Sequence, residues 1–219
     1  MKHFTRFLFP VAVLAVAASS DAAAFASRPD RTFVTNGPVY AVVRSGDTIF
    51  IGGRFNQVGP RTGFGVEIST DGTLAIEQPE VSGGEGLVQA VAPDGSGGWY
   101  IGSLFTHVGG VGRNNIAHIS ADKSVDPSFD PDASGGIHAL AVSGSTIYAG
   151  GFFSSIGGQP RNRIAALNTD GTVTSFDPNA DIGVFALVVA PNGTLHAGGP
   201  FRGFDLAAQQ GFASFSAPP

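Results

Sequence analysis

One short text recurs four times along the chain, and it constrains the fold more than any other feature. Ile147-Tyr148-Ala149-Gly150-Gly151-Phe152-Phe153-Ser154-Ser155-Ile156-Gly157-Gly158 reads as a strand, a glycine pair, an aromatic anchor, a short polar loop and a second glycine pair. Phe50–Gly59 and Tyr100–Gly110 repeat it, and His196–Phe204 is an eroded copy. The anchors Phe55, Phe105, Phe153 and Phe201 lie 50, 48 and 48 residues apart. A period of ~40–50 residues with several strands per period is the mark of propeller blades or solenoid repeats. The 32 glycines, 18 phenylalanines and only 13% charged residues of the 219 fit short strands and tight turns.

Each unit opens with a strand that has alanine third: Val39–Val43, Val88–Ala92, Ile137–Val142 and Val184–Val189. Turns at Ser45-Gly46-Asp47, Asp94–Gly97, Ser143-Gly144-Ser145 and Pro191-Asn192-Gly193 suit tight hairpins, because Gly, Asn and Asp tolerate positive φ. A second strand runs into the glycine pair. A third follows at Gly65–Ser69, Ile116–Ser120, Ile164–Asn168 and Phe212–Phe215. A fourth is expected at Leu74–Glu77, Val125–Phe129 and Val173–Phe176, but the last unit stops after its third. Arg31–Gly37 occupies the place of a fourth strand before Val39. Pairing of residues 31–35 beside Phe212–Phe215 would complete the last unit and remove an exposed sheet edge. The expectation is an all-β, four-bladed β-propeller of about 48 residues per repeat, closed by this N-terminal strand. Its units are residues 38–86, 87–136, 137–183 and 184–217, with 27–37 as leader. The alanines Ala41, Ala90, Ala139 and Ala186 fit the crowded axis of such a ring.

The first 26 residues differ from the rest. Lys2 and Arg6 precede an apolar run, Leu8–Ala18, and Ala24-Phe25-Ala26 follows. This is the pattern of a secretory signal peptide, and the run is shorter than the ~20 residues of a spanning helix. The protein is therefore expected to be secreted, periplasmic or at the cell surface, with no membrane span in the mature chain. Removing residues 1–26 takes Lys plus Arg from 12 to 10 and Asp plus Glu from 17 to 16, so the mature net charge is −6. Lys123 is its one lysine, and nucleic acid is excluded as a partner. There is no cysteine, so stability comes from the core without disulfides.

The repeat, with Arg161-Asn162-Arg163-Ile164-Ala165 and Ser175-Phe176-Asp177-Pro178, resembles the bacterial delta-60 repeat family, a β-propeller group of exported and surface proteins. It is also similar to the kelch-like repeats of fungal cortical-marker proteins. The third unit matches best and the second well. The first and fourth lose the Arg-Asn run, having Arg61-Thr62-Gly63 and Gln209-Gln210-Gly211. The resemblance covers residues 31–217 and implies a propeller, with no catalytic residues to carry over. Family members are often longer, which leaves open a piece of a larger ring.

Chemistry is sparse. The glycine pairs follow strands and not helix N-termini, so they read as close backbone approaches and not as phosphate cradles. Arg113 and Arg161 sit at equivalent repeat positions, which points to a role inside each unit, such as bonding carbonyls. The acidic run Asp126–Asp132 lacks the spacing of a calcium loop. His138 and His196 stand where other units have aromatic rings, and no histidine has metal-site spacing. No Gly-x-Ser-x-Gly elbow exists. Glu67, Glu77, Glu80 and Glu85 form no evident opposed pair for glycoside cleavage. No catalytic, cofactor-binding or metal-binding residue is assigned, and no cofactor is expected. The leading reading is a non-catalytic, monomeric binding module for an unknown protein or glycan of the cell envelope. Its contacts are expected in the loops 55–64, 105–115, 153–163 and 201–210, with Arg54, Asn56, His107 and Arg202 as candidates. The alternatives are a hydrolase or lyase acting on extracellular polysaccharide, and a piece of a larger surface propeller or adhesin.

Overall fold

The structure is a computed structural model, and it describes residues 35–55, 65–69, 74–75, 78–85, 87–205 and 207–216. The chain divides between Thr32 and Phe33, and the strands among the described residues lie in the second part. The first sheet comprises β1 (Val39–Ser45), β2 (Thr48–Gly53), β3 (Gly65–Ser69) and β4 (Leu74–Ala75). After β5 (Val81–Ser82), the second is built from β6 (Ala90–Pro93) and β7 (Trp99–Gly102), then a hairpin of β8 (His107–Val108) and β9 (Val111–Gly112), then β10 (Ile116–Ile119). The third has β11 (Ile137–Ser143), β12 (Thr146–Gly151), the hairpin β13 (Ser155–Ile156) and β14 (Gln159–Pro160), and β15 (Ile164–Asn168). The fourth has β16 (Ala186–Val189), β17 (Leu195–Gly198), the hairpin β18 (Gly203–Phe204) and β19 (Ala207–Ala208), and β20 (Phe212–Phe215). Each sheet is an antiparallel meander in which the second strand pairs with both the first and the third.

The turns are made as their residues dictate. Asp94 accepts the N–H of Ser96 at 2.7 Å, Asp122 that of Ser124 at 3.0 Å, Asp170 that of Thr172 at 2.9 Å and Asn192 that of Thr194 at 3.1 Å. These are Asx turns, in which the side chain holds the backbone two residues on.

Two expectations need correction. The fourth strands at Val125–Phe129 and Val173–Phe176 shrink to single bridges, Ile119 with Val125 and Leu167 with Val173. Pro127 has no N–H to give. Asp126 turns back to accept the Ser128 N–H, and the Thr174 hydroxyl accepts that of Phe176. The carbonyls of Asp126 and Thr174 are taken by Arg113 and Arg161, at 3.0 and 2.8 Å. The ladder therefore stops after one rung. The segments 105–115, 153–163 and 201–210, expected as open loops, contain two-stranded hairpins instead. In the second and third units a glycine pair with positive φ at both residues turns each one: Gly109 and Gly110, Gly157 and Gly158. The pairing expected of residues 31–35 falls, for 31–34, outside the described residues.

The core lies between sheets. In the first three units a glycine at the end of the second strand leaves space for the head of the next unit. A Cβ on Gly52 would lie 2.6 Å from Val88, on Gly102 2.5 Å from Ile137, and on Gly150 2.8 Å from Val184. Around these contacts three apolar clusters form, joining the first sheet to the second, the second to the third and the third to the fourth. Phe50 packs on Trp99, with centroids 5.1 Å apart. The four anchors Phe55, Phe105, Phe153 and Phe201 are all buried. Of the four alanines expected at a crowded axis, Ala90 and Ala139 are buried; Ala41 is half-buried and Ala186 exposed.

Candidate interaction surface

Three of the four residues singled out from sequence lie among the described residues. Arg54 is exposed just after the first glycine pair, and its N–H bonds the Pro38 carbonyl. Asn56 lies outside the described residues. His107 is exposed in β8, its ring Nδ1 2.9 Å from the Thr106 hydroxyl. Arg202 is exposed beside the fourth hairpin, its N–H donated to Asp181 at 2.9 Å. Among the described residues no hydrogen bond or ion pair joins any two of them.

The structure gathers a different group. His138 follows the first residue of β11, at a bulge where the register slips between Ile137 and Ala139. A bulge re-aims the side chain it carries. Phe152 follows the glycine pair of the third unit, at the position Arg54 holds in the first, and Phe185 directly precedes β16. The three rings pack edge to face, with centroids 5.5 Å (His138–Phe152), 5.2 Å (His138–Phe185) and 5.2 Å (Phe152–Phe185) apart. A Cβ on Gly183 would come within 2.8 Å of the Phe152 ring, so that glycine makes the room. Phe152 is nonetheless 50% exposed and Phe185 42%. Burial pushes the His138 pKa down, against the opposing charge of Glu85, so the imidazole is neutral at pH 7. The result is an exposed, uncharged aromatic surface drawn from two units. In sequence His138 reads only as a ring filler. The grouping depends on residues 14 and 33 positions apart in the chain, which no local pattern joins.

A charged cluster was also missed. His118 in β10 places Nε2 3.0 Å from Asp94 and Nδ1 2.8 Å from Asp126, while Tyr100 stacks on its ring at 4.4 Å. Burial raises the Asp126 pKa. The Ser128 hydroxyl, the His118 ring, the Ser128 N–H and the His118 charge more than offset this and bring it to about 2. Asp94 is also lowered: burial raises it, and bonds from Ser96, His118 and Gly98 outweigh that. Ser96 and Ser128 bond the carboxylates and not the imidazole, so no serine–histidine nucleophile pair results. The cluster ties the 94–98 turn, β10 and the segment after it into one piece. Among the described residues, no group of three or more His, Asp or Glu side chains could hold a metal ion, and no helix is long and apolar enough to cross a membrane.

Arg113 and Arg161 are structural. Besides the carbonyls above, each bonds the carbonyl just before it at 2.7 Å and pairs with an aspartate, Asp130 at 3.3 Å or Asp177 at 3.5 Å. The neighbouring Asn114 and Asn162 bond the last part of their own units, donating to Asp132 and to the Asn179 side-chain oxygen at 2.7 Å each.

These two units carry the match to a known family model. The profile of a family described as "Domain of unknown function (DUF5122) beta-propeller" matches residues 93–129 and 146–173. The fold is of the β-propeller type. Among solved structures, the computationally designed Ika4 protein superposes with a TM-score of 0.55 at 13% identity, over 84% of this chain and 93% of that one. The WD40 beta propeller domain of Doa1 gives 0.49 at 14% identity, over 84% of this chain and 56% of that one. None of the curated proteins matches.

Proposed function

We propose that this is an exported, non-catalytic interaction module of four propeller blades of the delta-60, kelch-like type. The leader 1–26 directs it out of the cytoplasm, and its partner is a protein or glycan of the cell envelope. The observation that carries this is the ring cluster of His138, Phe152 and Phe185. Large exposed aromatic groups held rigid by one another are the kind of anchor that dominates binding surfaces, and they are costly to leave in water without use. Their neutrality suits apolar side chains or the apolar face of a sugar ring. Arg54, at the position equivalent to Phe152, offers a charge at the matching place in the first unit.

The test is binding of envelope polymer and envelope protein fractions to the immobilised protein and to Phe152→Ser/Phe185→Ser. The double variant is expected to lose at least about ten-fold in affinity while its melting temperature moves by no more than about 2 °C, as for exposed residues. Equal binding by both proteins, or a loss that follows only the melting temperature, would overturn the assignment. Release of reducing sugar ends from the polymer would instead point to a hydrolase.

A further inference from the structure

The three interfaces between sheets are copies of one another, and the two faces left over are the two halves of a fourth. On the leading face of each sheet stand a glycine of its second strand, Gly52, Gly102, Gly150 or Gly198, and a large ring two residues before it; opposite that glycine the first sheet has Gly65 and the other three an apolar residue. Ile116 and Ile164 hold the last position in the second and third sheets and are fully buried under the next unit. Phe212 holds it in the fourth and is 61% exposed. Gly198 is the fourth glycine. Among the described residues, a Cβ on it would meet only Ala186 of its own sheet at 3.5 Å and the Gly211 carbonyl at 4.0 Å. Among the described residues, no counterpart of Val88, Ile137 or Val184 stands against it.

The trailing face of the first sheet is equally bare. Val42 pairs with Ile51 as Leu140 pairs with Ala149. Leu140 is buried, but Val42 is 58% exposed and Tyr40 beside it 38%. Val39, the residue equivalent to Val184, is only half-buried.

We infer that these faces meet between two copies of the chain, the fourth sheet of each packing on the first sheet of the other. Continuity with the intrachain interfaces names the occupant: what covers a glycine-bearing leading face in this protein is, three times over, the trailing face of the next unit. In a twofold pair each copy offers one face of each kind, so two equal interfaces form and no such face is left open. The inference is independent of the aromatic surface at His138.

Because the chain has no cysteine, engineered thiols report cleanly. Two versions of the full-length protein, expressed with its leader, would carry Gly198→Cys in one and Val39→Cys in the other. After mixing and mild oxidation, a disulfide joining unlike chains is expected in most of the material. With both cysteines in one chain, the same bond is expected between chains. A bond formed only within the doubly substituted chain would overturn the inference in favour of self-closure. Absence of any bond, together with single chains throughout in native mass spectrometry of the unsubstituted protein, would overturn it in favour of a different covering partner. Should either variant fail to fold, unsubstituted protein labelled with 15N and mixed with unlabelled protein answers the same question by native mass spectrometry. Mixed two-chain species are expected, and single chains throughout would contradict the pairing.

Discussion

Replacing His118 by leucine tests whether the second unit is held by its charged cluster. The imidazole stands between Asp94 and Asp126, at 3.0 and 2.8 Å. Leucine fills similar space but leaves two half-buried carboxylates facing each other with no ring nitrogen between them to bond. Removing one partner of a fully buried pair costs ~3–5 kcal/mol. At this partly exposed sheet edge, solvent screening reduces that to about 2–3 kcal/mol. A domain of this size loses ~2–4 °C per kcal/mol, so the melting temperature at pH 7 is expected to fall by roughly 4–12 °C. The acid limb gives a second readout. The Asp126 carboxyl is held at about 2 against 3.8 for the free group. A depressed carboxyl contributes stability that is fully present above pH 3.8 and is lost as the pH falls through about 2. The shift corresponds to at most ~2.5 kcal/mol, and to about 1 kcal/mol after screening. Thermal melts followed by circular dichroism between about pH 7 and pH 2 should show the parent protein losing this increment between about pH 4 and 2. His118→Leu should lose less of it. A triple replacement, His118→Leu with Asp94→Asn and Asp126→Asn, should recover part of the loss by removing the unpaired charges. A melting temperature unchanged within about 1 °C in His118→Leu, with the same acid limb, would refute the reasoning.

Other perturbations follow from the repeat. Gly150→Val forces a side chain into Val184, and calorimetry should show a loss of at least about 3 kcal/mol or failure to fold. Arg161→Met strands the carbonyls of Thr174 and Pro160; a loss of about 1–3 kcal/mol is expected in urea unfolding. Arg202→Ala, by contrast, removes an exposed side chain whose backbone N–H makes the bond to Asp181, so urea unfolding should show a change of less than about 0.5 kcal/mol.

The architecture was legible because its determinants are local and periodic. The strand-end glycines and the anchors Phe55, Phe105, Phe153 and Phe201 recur at near-constant spacing, and Gly52, Gly102 and Gly150 each meet the next unit in the same way. The blade-internal role of Arg113 and Arg161 was legible for the same reason, since equivalent positions make equivalent bonds. The fourth strands were overread. Ser-Phe-Asp-Pro has the alternation of a strand, but its backbone is drawn off by Pro127 and by the Asp126 and Thr174 side chains, which accept the N–H two residues ahead and end the ladder after one bridge. The hairpins were underread, because two residues on either side of a glycine pair are too few to show alternation. The candidate surface was the least legible. His138, Phe152 and Phe185 come from a bulge, a loop and a strand entrance, and only the packing of two units brings their rings together. His118 and Asp94 likewise meet across 24 residues.

Sedimentation equilibrium of the unsubstituted protein, across micromolar concentrations, bears most directly on the repeated interface and its two unpaired faces. A mass of two chains across that range is the expected result, with a shift toward one chain on Phe212→Asp. A single-chain mass at every concentration, unaltered by that substitution, would contradict the pairing of the fourth sheet with the first sheet of a second copy.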